Sequence, residues 1–189
     1  MFSSLTKAYK VRRLVQAGRR ALLRRDFEKA RQFFEQAANI NPRYLRTAAQ
    51  FHQGVLSYLG RAEYAVGLLT QAKQSLERAI AIYHEDLLAS LYLGMTMLRL
   101  GSETDGLRQI KQTLQRLQAW IDGSAGSRAS ENFWDINGEI RAEINNALTL
   151  SEENGDHVSL LKSVEWIGDE VDAECDRARR DESRDFGRW

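Results

Sequence analysis

The sequence predicts an all-α fold of stacked helical hairpins, on three observations. Proline occurs once in 189 residues, at Pro42, and helix interiors exclude proline. Ala, Leu, Arg, Glu and Gln are abundant, whereas alternating runs of Val, Ile and Thr are missing, so helix formers dominate and strand signals are absent. Small and apolar residues also recur in register along the first two thirds of the chain, as in a repeat array. The whole chain is read as helical, with no sheet expected in the first 120 residues.

The repeat is set by four groups of residues. Gly18, Gly60 and Gly94 are spaced 42 and then 34 residues apart. The same intervals separate Ala30, Ala72 and Gly106, then Phe34, Leu76 and Ile110, then Ala37, Ala79 and Thr113. Two helices approach closely only where side chains are small. Gly18 is therefore expected to meet Ala30, Gly60 to meet Ala72, and Gly94 to meet Gly106, while Phe34 and its equivalents fill the space between hairpins. Arg25-Asp26, Gly67 and Leu100-Gly101-Ser102 supply turns, and Asn41-Pro42 ends a helix.

The first copy reads Leu14, Ala17, Gly18, Ala21, then Ala30, Phe34 and Pro42. The second reads Leu56, Leu59, Gly60, Glu63, then Ala72, Leu76 and His84; the third reads Ser90, Leu93, Gly94, Met97, then Gly106, Ile110 and Gln118. This pattern and its 34-residue period resemble the tetratricopeptide repeat (TPR) family. The resemblance implies a right-handed α-α superhelix of about three TPR-like hairpins plus C-terminal capping helices. The repeats are expected over about 11–44, 53–86 and 87–120, inside a domain of residues 1–121. The first interval is eight residues longer than the second (42 against 34). Near 45–52 these extra residues are expected to lengthen the first helix of the second hairpin.

Residues 122–131 read as a loop and 132–189 as a helical cap with a charged tail. One apolar stripe is Ile136, Ile140, Ile144, Ala147 and Leu148. Another is Leu160, Val164, Ile167, Val171, Cys175 and Ala178, with Asp156 as its N-cap. Trp120, Phe133, Trp134 and Trp166 are expected to pack this cap. The tail Asp176–Trp189 is expected to be disordered, with Phe186 and Trp189 exposed.

The resemblance also places the first helix of each hairpin on a concave surface. The groove positions expected to bind a partner are Arg12, Arg19, Arg61, Tyr64, Leu88, Leu91, Met95 and Leu98. Leu88, Leu91, Met95 and Leu98 follow helical spacing on a face other than that of Leu93 and Met97, which serve the repeat core. Something must cover them: either the C-terminal helices folded back, or a partner helix or peptide.

Charge is uneven. Residues 1–50 hold 12 basic and 3 acidic side chains, and residues 151–189 hold 6 and 12. The basic cluster of Lys7, Lys10, Arg12, Arg13, Arg19, Arg20, Arg24 and Arg25 is either a solvated face or a site for an acidic protein. RNA is the weaker choice, because only Tyr9 and Phe2 are there to stack bases. A homo-oligomer joined by the basic head and acidic tail is left open.

No catalytic pattern emerges. His52, His84 and His157 are scattered, and no Gly-rich phosphate loop or nucleophile elbow occurs. The acidic run Asp169, Glu170, Asp172, Glu174 and Asp176 lacks calcium-loop spacing. The lone Cys175 cannot form an internal disulfide, which suits a reducing compartment, and no apolar run is long enough to span a membrane. The Arg-rich N-terminus lacks the apolar centre of a secretory signal. The expectation is a cytoplasmic protein-interaction scaffold or adaptor, not an enzyme, with no metal or cofactor. Its partner is another protein or peptide, acidic in character. The alternatives are RNA binding through the basic N-terminal helix and a self-associating structural protein.

Overall fold

The computed structural model describes residues 2–48, 51–123, 135, 137–152 and 156–185, with only the backbone of 2–5, 48 and 178–185. The chain divides into two compact units, Met1–Arg46 with His52–Gly106, and Thr47–Phe51 with Leu107–Trp189. The first unit ends inside a helix, after Gly106.

In the first unit, α1 (Phe2–Leu23) and α2 (Phe27–Ile40) form the first hairpin. Asp26 caps α2 by accepting from Lys29 N at 3.3 Å, satisfying one of the orphan donors of a helix start. α3 (Val55–Ala65) and α4 (Leu69–Ile82) form the second hairpin, and α5 (Leu87–Arg99) packs on both. α6 (Glu103–Ile121) starts in this unit.

The close approaches follow the small residues. A Cβ on Gly60 would lie 2.5 Å from Leu76 Cγ and 3.3 Å from the Ala72 carbonyl oxygen. One on Gly106 would lie 2.9 Å from the Gly94 carbonyl oxygen. A Cβ on Gly18 would meet the Phe34 ring first, at 2.6 Å, so the first crossing is filled by Phe34 in front of Ala30. Phe34 also stacks on Tyr58 of α3, with ring centroids 5.2 Å apart, and so links the first hairpin to the second.

The absence of any sheet is corrected. Leu45–Ala48 (β1) and Phe51–Gly54 (β2) pair as a two-stranded sheet where a helix extension near 45–52 was expected. β2 buries Phe51 and Gln53 and half-exposes His52 and Gly54, the alternation of a strand with one covered face. The eight extra residues are thus taken up by a β-hairpin ahead of α3.

In the second unit, α6 buries Ile110, Thr113, Leu114, Leu117 and Ile121. α7 (Glu139–Glu152) buries Ile140, Ile144 and Ala147. α8 (His157–Asp185) buries Leu160, Val164, Ile167, Val171 and Cys175, as the sequence stripe predicts. Asp156 caps α8, accepting from Ser159 N at 3.0 Å. A second cap was not anticipated: Asp135 accepts from Ile140 N and Arg141 N, each at 2.9 Å. Arg141 in turn reaches Asp122 at 2.8 Å and Asp135 at 3.1 Å.

Two further expectations change. α8 continues through Asp185, so the segment from Asp176 to Asp185 is helical and not a disordered tail. Trp120 packs edge-on against Phe51 at 5.1 Å, whereas Trp166, expected to pack the cap, is 38% exposed. Residues 124–131 of the expected loop, together with Phe133, Trp134, Ile136, Phe186 and Trp189, lie outside the described residues.

Candidate functional site

The expected groove positions fall into three environments. Arg12 is exposed and Arg19 half-buried. Arg61 and Tyr64 are buried. Leu88, Leu91 and Met95 have no exposure and Leu98 has 8%. The α5 stripe is therefore packed, not an open apolar channel. Leu93 and Met97, expected in the repeat core, are only half-buried. α5 is covered almost all round, which fits its composition of Leu, Met, Ala and Tyr with a single charge at its last residue.

Arg19, Arg61 and Tyr64 are joined through two tyrosines that sequence reasoning did not single out. The Arg19 guanidinium lies 5.8 Å from the Tyr58 ring centroid, and that of Arg61 lies 5.9 Å from the same ring. Arg46 of β1 donates to the Tyr58 hydroxyl at 3.4 Å, and that hydroxyl donates to Gln53 Oε1. Arg61 also sits 5.0 Å from the Tyr92 ring. Tyr92 meets Tyr64 edge-on at 5.6 Å, and Arg99 covers Tyr64 at 4.7 Å. Alternating guanidinium and aromatic faces give Arg19 and Arg61 a π surface in place of water.

A signal for this cluster was present in the repeat register. Tyr58 and Tyr92 stand two residues before Gly60 and Gly94, and Arg19 and Arg61 stand one residue after Gly18 and Gly60. Arg46 and Gln53 had no such signal, because they enter on the β-hairpin that interrupts the repeat.

Asp86 closes one end of the cluster. Its carboxylate is fully buried and accepts from Gly54 N at 2.8 Å, Ser57 Oγ at 3.1 Å and Ala89 N at 2.9 Å. Burial pushes its pKa up to about 6, outweighing these three donors and the nearby Arg61, which pull it down. Among the described residues no three His, Cys, Asp or Glu side chains gather as a metal cluster. His84 is exposed beside Glu85, and His52 packs edge-on against Tyr83 at 5.3 Å.

No family model and no curated protein matches the sequence. Among solved structures, the chain is similar to the TPR domain of Arabidopsis OM64, with a TM-score of 0.50 at 18% identity. The match covers 57% of this chain and 83% of that one. The fold is TPR-like.

Proposed function

We propose that this chain is a non-enzymatic interaction scaffold of the cytoplasm that binds an acidic segment of another protein. Three TPR-like hairpins, over about 11–44, 53–86 and 87–120, form its recognition part. The observation that carries this is the gathering of three guanidiniums, Arg19, Arg46 and Arg61, around Tyr58. Arginine forks match carboxylates two bonds at a time, and the surplus of basic over acidic side chains in residues 1–50 steers acidic chains toward this end. The TPR-like fold supports a protein partner by analogy. Cys175 is the one cysteine of the sequence, so it cannot form an internal disulfide, which suits a reducing compartment.

The burial of the expected groove sets the order of events. Exposed Arg12 and half-buried Arg19 meet the partner first. Arg61, Tyr64, Leu88, Leu91, Met95 and Leu98 act as anchors only where their present packing opens, and that opening subtracts from the affinity.

A fluorescent Glu-rich peptide tests the proposal by anisotropy, beside the same peptide with Gln for Glu. The intact protein is expected to bind only the acidic peptide. Arg12→Glu/Arg19→Glu is expected to weaken binding about tenfold or more. Arg61 is left in place, because reversing a charge buried between Tyr58 and Tyr92 would disturb the fold. Equal affinity of the variant and the parent for the acidic peptide rejects the site.

A further inference from the structure

The outward face of α1 carries a second surface. Val11, Val15, Gly18 and Ala21 turn inward and are buried. On the opposite side Tyr9, Arg13, Gln16, Arg20 and Leu23 follow at intervals of four, three, four and three residues, which makes one stripe along the helix. Lys10 lies at its edge and Arg24 just past its end. Tyr9 is 64% exposed and Leu23 73%, and the Arg13 guanidinium sits 5.9 Å from the Tyr9 ring.

The cations of this face form no ion pair with the described carboxylates of the chain. α1 contains no Asp or Glu from Phe2 to Leu23. Among the described residues, Lys7, Lys10, Arg13, Arg20 and Arg24 are in no ion pair, while Arg31, Lys73, Lys111, Arg141 and Arg177 each meet a carboxylate. Lys29, Arg43 and Arg78 are likewise exposed and in no ion pair, but on α1 such cations share one face with the exposed Tyr9 and Leu23.

We propose that this stripe docks α1 flat on an anionic lipid surface. Basic side chains on a helix face attract anionic headgroups, and arginine grips their phosphates in pairs of hydrogen bonds. Tyrosine settles at the headgroup boundary, and an exposed leucine enters the acyl edge. A nucleic acid has a use for the arginines but none for Leu23, and Tyr9 alone is a thin stacking platform. No described helix is long and apolar enough to cross a membrane, so the contact is peripheral. Two apolar side chains add little, so most of the attraction is electrostatic, with each basic side chain contributing a factor of about five.

Flotation of the full-length chain with vesicles is the test, using phosphatidylcholine alone and phosphatidylcholine mixed with phosphatidylserine. The protein is expected to float with the mixed vesicles only, and to be released by salt. Arg13→Glu/Arg20→Glu is expected to lower partitioning by about twenty-fold or more, and Tyr9→Ser/Leu23→Ser by severalfold. All four side chains are on the exposed side, so both variants are expected to keep the parent melting temperature. Arg12→Glu/Arg19→Glu, on the side used for the acidic partner, is expected to lose less. No flotation with phosphatidylserine overturns the proposal, as does equal loss from the two arginine pairs. Retention on a polyuridine column without vesicle binding overturns it in favour of RNA.

Discussion

Asp86 holds the starts of two helices with one carboxylate. It caps α5 through Ala89 N, and it reaches Gly54 N, the start of α3, where glycine has no side chain to cap with. Because burial raises its pKa from 3.8 to about 6, the folded state holds the proton more tightly than the unfolded chain. That contribution to stability is complete below about pH 4 and is lost as pH rises through about 6. A shift of this size corresponds to about 3 kcal/mol between the two limits. Urea unfolding at steps from pH 4 to pH 7 is expected to show the parent losing stability relative to Asp86→Asn by up to that amount. Parallel pH profiles for the two proteins would refute it. Half of this arrangement had a local signal that the sequence reading passed over: an aspartate before the apolar start of a helix fits an N-cap. The other half had none, since Gly54 is 32 residues away and no local pattern joins them. Glycines and alanines at the crossings were legible for the opposite reason: close approach leaves few residue types that fit, and the repeat states the constraint three times.

At the scale of elements, the turns obey the repeat more strictly than the helices do. Each hairpin turns on one residue with positive φ: Arg25 at 57°, Gly67 at 84° and Gly101 at 86°. These positions keep the 42- and 34-residue intervals, but the first carries an arginine where the others carry glycine. A side chain in the left-handed region costs roughly 1 kcal/mol that glycine avoids. Arg25 is exposed and lies beyond the last residue of α1, so little packing is lost on its removal. Arg25→Gly is expected to stabilise the chain by up to about 1 kcal/mol, read as a higher urea midpoint; a lower midpoint would mean the arginine contributes more than its strain. The β-hairpin was the element the sequence concealed. Leu45 to Gly54 contains alanines and glutamines, and no Asn-Gly or Asp-Gly turn marks it. Its strands are held by what they bury, Arg46 against Tyr58 and Phe51 against Trp120, so tertiary contacts override a helix-forming composition. The length difference between intervals showed that an insertion existed, without showing its form.

For the whole molecule, the decisive question is whether the α5 stripe belongs to the core or to a binding surface, because one set of side chains was offered for both. Periodicity cannot separate them, since an apolar stripe looks the same whether it is covered by its own chain or awaits a partner. Burial separates them by energy. Leu91 has no exposure, whereas Leu100, just past the end of the same helix, is 42% exposed. Truncating a packed leucine removes its transfer energy and leaves a cavity, a cost of about 3 kcal/mol. Truncating an exposed one changes stability by about 0.5 kcal/mol or less. Leu91→Ala is therefore expected to lower the melting temperature by roughly 10 °C, and Leu100→Ala to leave it nearly unchanged, as followed by circular dichroism. A Leu91→Ala protein that melts with the parent would mean the stripe contributes nothing to the free molecule and is available as it stands. A large drop instead means that any partner reaching Leu88, Leu91 and Met95 must first replace contacts worth several kcal/mol. Affinity for such a partner would then rise in variants that loosen α5 and fall in those that tighten it.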